Sequence, residues 1–107
     1  MKRKIKVSEK FFQKQIETIE PTNVSNAVKK TTKSLYEQLF KSDLLISKLT
    51  IEDGCVSFGV DLLLDVIVSP RLIRVNYFCD QFELRYKGSS NNIQGAVDFI
   101  KKYLEIL

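Results

Sequence analysis

Seven apolar residues at strict two-residue spacing constrain this chain more than any other feature: Val56, Phe58, Val60, Leu62, Leu64, Val66 and Val68. A helix would scatter them around its axis, whereas a pleated strand puts all of them on one face. Just before the run, Asp53-Gly54 suits a two-residue hairpin turn, whose central residues both need positive φ. The segment from residue 44 is therefore expected to run antiparallel to it, with Ile51 opposite Val56 and Leu49 opposite Phe58. Ser69-Pro70 ends the run, because proline removes a ladder donor. Two further alternating stretches follow: Ile73, Val75, Tyr77 and Cys79, then Phe82, Leu84 and Tyr86 after a tight turn at Asp80-Gln81. That turn pairs Tyr77 with Leu84 and Val75 with Tyr86. In the middle hairpin, Asp65 opposite Arg74 keeps Leu64 beside Val75 and Leu62 beside Tyr77. All these registers share one apolar face, and a one-residue slip would invert it.

The flanks read as helices. In residues 8–20, Ser8 serves as N-cap and Phe11, Phe12, Ile16 and Ile19 recur at helical spacing, until Pro21 disfavours helical geometry at Glu20. A second helix is expected over 23–41, capped by Thr22 or Asn23. Its core arc is Val24, Val28, Thr31, Leu35 and Leu39, opposite Asn26, Lys29, Lys30, Lys33 and Glu37. Tyr36 and Phe40 flank the polar arc. Gly88 to Asn92 reads as a loop, and a last helix runs from about 92 to the end, capped by Asn91 or a nearby Ser. Ile93, Ala96, Val97, Ile100, Tyr103, Leu104 and Leu107 form its apolar side. Runs of one element type, rather than alternating βαβ units, predict an α+β fold. The expected order is two N-terminal helices, a four-stranded antiparallel meander sheet, and a C-terminal helix packed on one sheet face. The 107 residues suit a single domain, 1–107, with 1–7 as a basic N-terminal arm.

Most catalytic chemistry lacks its parts. The chain has no histidine, so no serine or cysteine nucleophile has its usual base. Cys55 and Cys79 form neither a CxxC pair nor a metal cluster. Gly54, Gly59, Gly88 and Gly95 are isolated and match no phosphate-cradling loop. Asp61 and Asp65 share the outer sheet face, and with Arg74 beside them they read as a surface ion pair rather than an acid–base pair. A non-enzymatic protein without metal, cofactor or small-molecule substrate is expected. The basic start, Met1 to Val7, is not followed by the apolar stretch of a signal peptide, and no run is long enough to span a bilayer. A cytoplasmic location with reduced thiols is expected, with no membrane contact.

Charge is unevenly spread. Residues 1–48 carry eleven basic and five acidic side chains, and residues 49–107 carry six and eight, within a total of +4. An excess of this kind points to a polyanionic partner. Lysine outnumbers arginine 13 to 4, which favours phosphate contacts over bidentate base reading. The nucleic-acid-binding set is Lys2, Arg3, Lys4, Lys6 and Lys10 on the arm and first helix, with Ser25, Asn26, Lys29, Lys30 and Lys33 on the second. Tyr36 at its flank is placed to stack on a base. The segment from Val24-Ser25-Asn26-Ala27-Val28-Lys29-Lys30-Thr31 through Leu35 to Phe40 resembles the recognition helix of helix-turn-helix and winged-helix DNA-binding proteins. In those proteins a polar helix N-terminus enters the major groove. The resemblance covers about a sixth of the chain. It implies that Ser25, Asn26, Lys29, Lys30 and Lys33 are the contacting positions of a DNA-binding accessory or regulatory protein.

A second reading starts from the outer sheet face. The expected register puts Leu44, Ile46, Leu63 and Phe78 there among polar neighbours, with Arg74 and Arg85 alongside. Contiguous exposed apolar surface marks an interface. These six residues would dock a protein partner, or a second copy as a homodimer, unless the first helix or the basic arm folds across them.

Overall fold

A computed structural model describes residues 9–42, 44–61, 63–78 and 83–106. Helices α1 (Glu9–Ile19) and α2 (Asn26–Lys41) come first. Five strands follow: β1 (Thr50–Glu52), β2 (Cys55–Val60), β3 (Leu64–Val68), β4 (Leu72–Phe78) and β5 (Glu83–Ser89). Helix α3 (Ile93–Ile106) closes the chain. The sheet is antiparallel throughout, in the order β1-β2-β3-β4-β5. The α+β class and the meander agree with expectation. The strand count does not: among the described residues there are five strands, because the long alternating run is two strands and a turn.

The missed turn has a clear cause. A three-residue loop, 61–63, joins Val60 to its direct partner Leu64, so Phe58 faces Val66 and Val56 faces Val68. An odd-length loop returns the chain with its even-numbered residues on the same face, so the period-2 pattern crosses the hairpin unbroken. Asp61 makes the turn with φ +52, a left-handed conformation that aspartate tolerates better than most residues. Its N–H donates to the Leu45 carbonyl at 2.7 Å, and its Oδ1 accepts from the Leu45 N–H at 3.0 Å. This carboxylate is therefore structural. Asp53 (φ +52) and Gly54 (φ +78) form the first hairpin as expected, with Ile51 opposite Val56.

Two registers differ from expectation. In the β3–β4 hairpin Asp65 stands opposite Asn76, and Ile67 opposite Arg74, a two-residue shift that keeps the apolar face intact. Asp65 and Arg74 are therefore not cross-strand partners. Beside β2, Ile46 pairs with Val60 and Thr50 with Ser57, so Ser47, Lys48 and Leu49 oppose only Phe58 and Gly59. This is a β-bulge, which breaks the ladder between Thr50 and Ile46. Its irregular backbone is satisfied by side chains. Ser47 Oγ accepts from the Gly59 N–H at 2.7 Å, Gln15 Oε1 of α1 from the Leu49 N–H at 3.0 Å, and the Tyr36 hydroxyl donates to the Ser47 carbonyl at 2.7 Å.

Helices α2 and α3 cover one sheet face, and α1 packs on α2. Val56, Phe58 and Val60 of β2, Leu64, Val66 and Val68 of β3, and Ile73, Val75 and Tyr77 of β4 are buried against them. From the helices come Phe12 and Ile19, then Val28, Leu35, Tyr36 and Leu39, then Ala96, Val97 and Ile100. Ser25, rather than Thr22 or Asn23, caps α2, accepting from the Val28 N–H at 3.3 Å. Asn92 caps α3, accepting from the Gly95 N–H at 2.9 Å. β5 continues through Gly88 to Ser89, where a loop was expected. The Tyr86 side chain lies over Gly88 and reaches Gly95, so a Cβ at either glycine would collide with its hydroxyl. These two glycines let α3 settle closely on β4 and β5.

Candidate functional site

The lysine-rich α2 face divides by what its side chains touch. Lys29 Nζ donates to the Glu20 carbonyl at 2.7 Å, and Lys33 forms an ion pair with the Glu20 carboxylate. Both lysines thus fasten the α1–α2 corner. Lys30 is exposed and turned the other way, towards the turn between β3 and β4. Asn26 stands exposed at the start of α2, and Lys10 is exposed on α1. Lys2, Arg3, Lys4 and Lys6 lie outside the described residues, as do Ser8, Leu62 and the turn at 80–81.

Tyr36 is not available to stack on a base. It is fully buried, parallel to Phe12 at 5.5 Å and edge-on to Phe58 at 5.0 Å. Burial raises its hydroxyl well above the ordinary tyrosine pKa. Helix α2 is covered on two sides, by the sheet and by α1, so the flank of its polar arc becomes interior. Phe40, stacked on Phe12 at 4.5 Å, follows the same logic.

The apolar patch expected on the outer sheet face does not assemble. The bulge advances the phase by one residue, so Ile46 turns inward beside Val60 and is only 2% exposed. Leu44 is half-buried against the core. Leu63 remains exposed at 45%. The Phe78 side chain lies outside those described.

What the outer face does gather is charge. The register aligns Thr50, Ser57, Ile67, Arg74 and Lys87 across the five strands. The next row is Gly59, Asp65, Asn76 and Arg85. Arg74, Lys87 and Arg85 are all exposed, so three cations stand on two adjacent strands. Arg74 and Lys87 are direct cross-strand partners, which brings their Cβ atoms to about 5 Å. Like charges so placed oppose folding. By register Asp65 lies on β3 two residues from Ile67, the partner of Arg74, and Glu83 precedes Arg85 by two residues on β5. Among the described residues nothing packs over this face; α1 lies on the helical side, tied to Leu49 through Gln15. Lys87 was missing from the expected site. The signal was present, since pairing Val75 with Tyr86 already puts Arg74 opposite Lys87.

A second cationic feature sits at the end of the sheet. A cleft of about 660 Å³ opens between α2, the β3–β4 turn and the loop before α3, with Lys30 and Arg71 on its walls. Among the described residues no group of three Cys, Asp or Glu side chains could hold a metal ion. No described helix is long and apolar enough to cross a membrane. The chain matches no family model, no curated protein and no solved structure.

Proposed function

We propose that this is a non-enzymatic nucleic-acid-binding accessory or regulatory protein whose contact surface is the sheet face opposite the helices, around Arg74 and Lys87. The observation that carries the reading is the directly opposed Arg74–Lys87 pair. It costs folding free energy by itself, and a polyanion laid across it reverses the sign of that term. Thr50, Ser57 and Asn76 add neutral hydrogen-bonding groups on the same face. Lysine and arginine on this face favour contacts to phosphates, which carry no sequence information. The α2 reading keeps Asn26 and Lys30 as exposed candidates, but Lys29 and Lys33 are held by Glu20. The protein-partner reading loses Ile46 to the core.

The test is a fluorescence-anisotropy titration of single-stranded and duplex DNA and RNA at several salt concentrations. Wild type should bind with affinity that falls as salt rises, with a log–log slope of about −1.4 to −1.8 for phosphate contacts at Arg74 and Lys87. Arg74→Glu with Lys87→Glu should weaken binding more than tenfold while the far-ultraviolet spectrum and melting stay intact. Lys29→Glu with Lys33→Glu should lower stability and leave the salt slope unchanged. Binding that ignores the sheet pair, or a wild type that binds none of the four nucleic acids, overturns the proposal.

A further inference from the structure

The cleft at the end of the sheet is built differently from the flat face beside it. Lys30 comes from α2, Arg71 from the β3–β4 turn, and Ser34, Ser89 and Asn91 line the space between. No aspartate or glutamate lines it. Lys30, Arg71, Ser34 and the Asn91 amide make no hydrogen bond or ion pair with any described residue, so their donors are unspent. The Ser89 hydroxyl accepts from the Asn91 N–H at 3.2 Å and keeps its own proton to give.

The walls are fixed to one another through Ser90. Its N–H donates to the Arg71 carbonyl at 3.0 Å, and its hydroxyl donates to the Pro70 carbonyl at 3.2 Å. The Thr31 hydroxyl of α2 reaches the Ser90 carbonyl at 3.4 Å. Three separate segments are thus cross-linked, which fixes the backbone that carries both cations without a ligand. Such preorganisation lowers the ordering cost of binding. Two unpaired cations, several free neutral donors and no carboxylate select an oxyanion of high charge density. The volume lies within the range of small-molecule sites.

We infer that this cleft is a binding site for a phosphoryl group, with Lys30 and Arg71 as its charged ligands and Ser34, Ser89 and Asn91 as neutral donors. The group is carried either by a free phosphate or mononucleotide or by the backbone of a nucleic-acid strand; the ligating chemistry is the same. The inference does not depend on the sheet-face reading, because the two sites share no residue.

The experiment is an amide chemical-shift titration of the full chain with inorganic phosphate, with adenosine monophosphate and with an oligothymidylate, at constant ionic strength. Saturable shifts centred on residues 30–34 and 89–91 are expected with at least one probe. They should weaken at least tenfold in Lys30→Gln with Arg71→Gln, and persist in Arg74→Glu with Lys87→Glu. Saturation by phosphate or the mononucleotide identifies a small-molecule site; saturation by the oligonucleotide alone identifies a strand contact. Shifts that never saturate, or that ignore the Lys30 and Arg71 substitutions, overturn the inference. Each cleft variant is checked for an unchanged spectrum outside the site, and a single substitution at either position serves if the pair misfolds. A responsive cleft with no oligonucleotide binding would sink the sheet-face proposal alone; the reverse pattern would sink this one alone.

Discussion

Tyr36 shows how one side chain can serve packing and polarity at once. Its ring joins α1 to β2 through Phe12 and Phe58, and its hydroxyl caps a carbonyl that the bulge leaves without a ladder partner. Tyr36→Phe keeps the ring and orphans the Ser47 carbonyl, so a loss of about 1–2 kcal/mol is expected in urea unfolding at neutral pH. The pH dependence follows from the raised pKa. The folded protein holds the neutral phenol more tightly than the unfolded chain does. That contribution is fully present below about pH 10, the unfolded value, and is lost as pH rises beyond it. The wild type should therefore lose stability between pH 9 and 11 more steeply than Tyr36→Phe. Parallel curves for the two proteins would refute a desolvated, neutral Tyr36.

At the scale of elements, the β2–β3 hairpin depends on a short loop that Asp61 enters in a left-handed conformation. Asp61 supplies both the conformation and the carboxylate that fastens Leu45 to the sheet edge. Asp61→Ala removes the acceptor and puts alanine where φ is positive, so about 2 kcal/mol should be lost. Asp61→Gly restores the backbone freedom only, and Asp61→Asn keeps an acceptor and tolerates the conformation. The expected order of stability is wild type, then Asn, then Gly, then Ala, read from denaturation midpoints. Alanine as stable as wild type would remove the structural role. The element boundaries here were illegible for a definite reason: Val56 to Val68 alternates through a loop of odd length. A pattern of period 2 records which face a residue occupies, and it is silent about a turn that preserves the face. The same parity explains why the β3–β4 register could slip by two, from Arg74 to Asn76 opposite Asp65, with every apolar residue still inside.

At the scale of the molecule, the bulge decides which residues are interior. Ile46 and Leu63 are both expected on the outer face; Ile46 is buried, and Leu63 is exposed in the loop between β2 and β3. Ile46→Asp puts a carboxylate into the core and should cost more than about 3 kcal/mol or abolish folding. Leu63→Asp changes an exposed site and should stay within about 0.5 kcal/mol of wild type. Equal effects would mean the sheet faces are assigned wrongly. Charge behaves in the same way. Half-chain totals put the positive excess in residues 1–48, yet the three cations gathered on the sheet come from the net-acidic remainder. Totals along a chain average over both faces of a sheet, and only register separates them.

The α+β order of elements, the apolar face of the sheet, the Asp53-Gly54 hairpin and the pairing of Val75 with Tyr86 were all legible in the residues. They rest on local periodicity and turn chemistry, which act between near neighbours. The burial of Tyr36 and Ile46, the binding of Lys29 and Lys33 by Glu20, and the closure of the cleft around Ser90 were decided only in three dimensions. Each joins residues from different elements, and no spacing along the chain encodes which second surface a helix or a strand edge will meet.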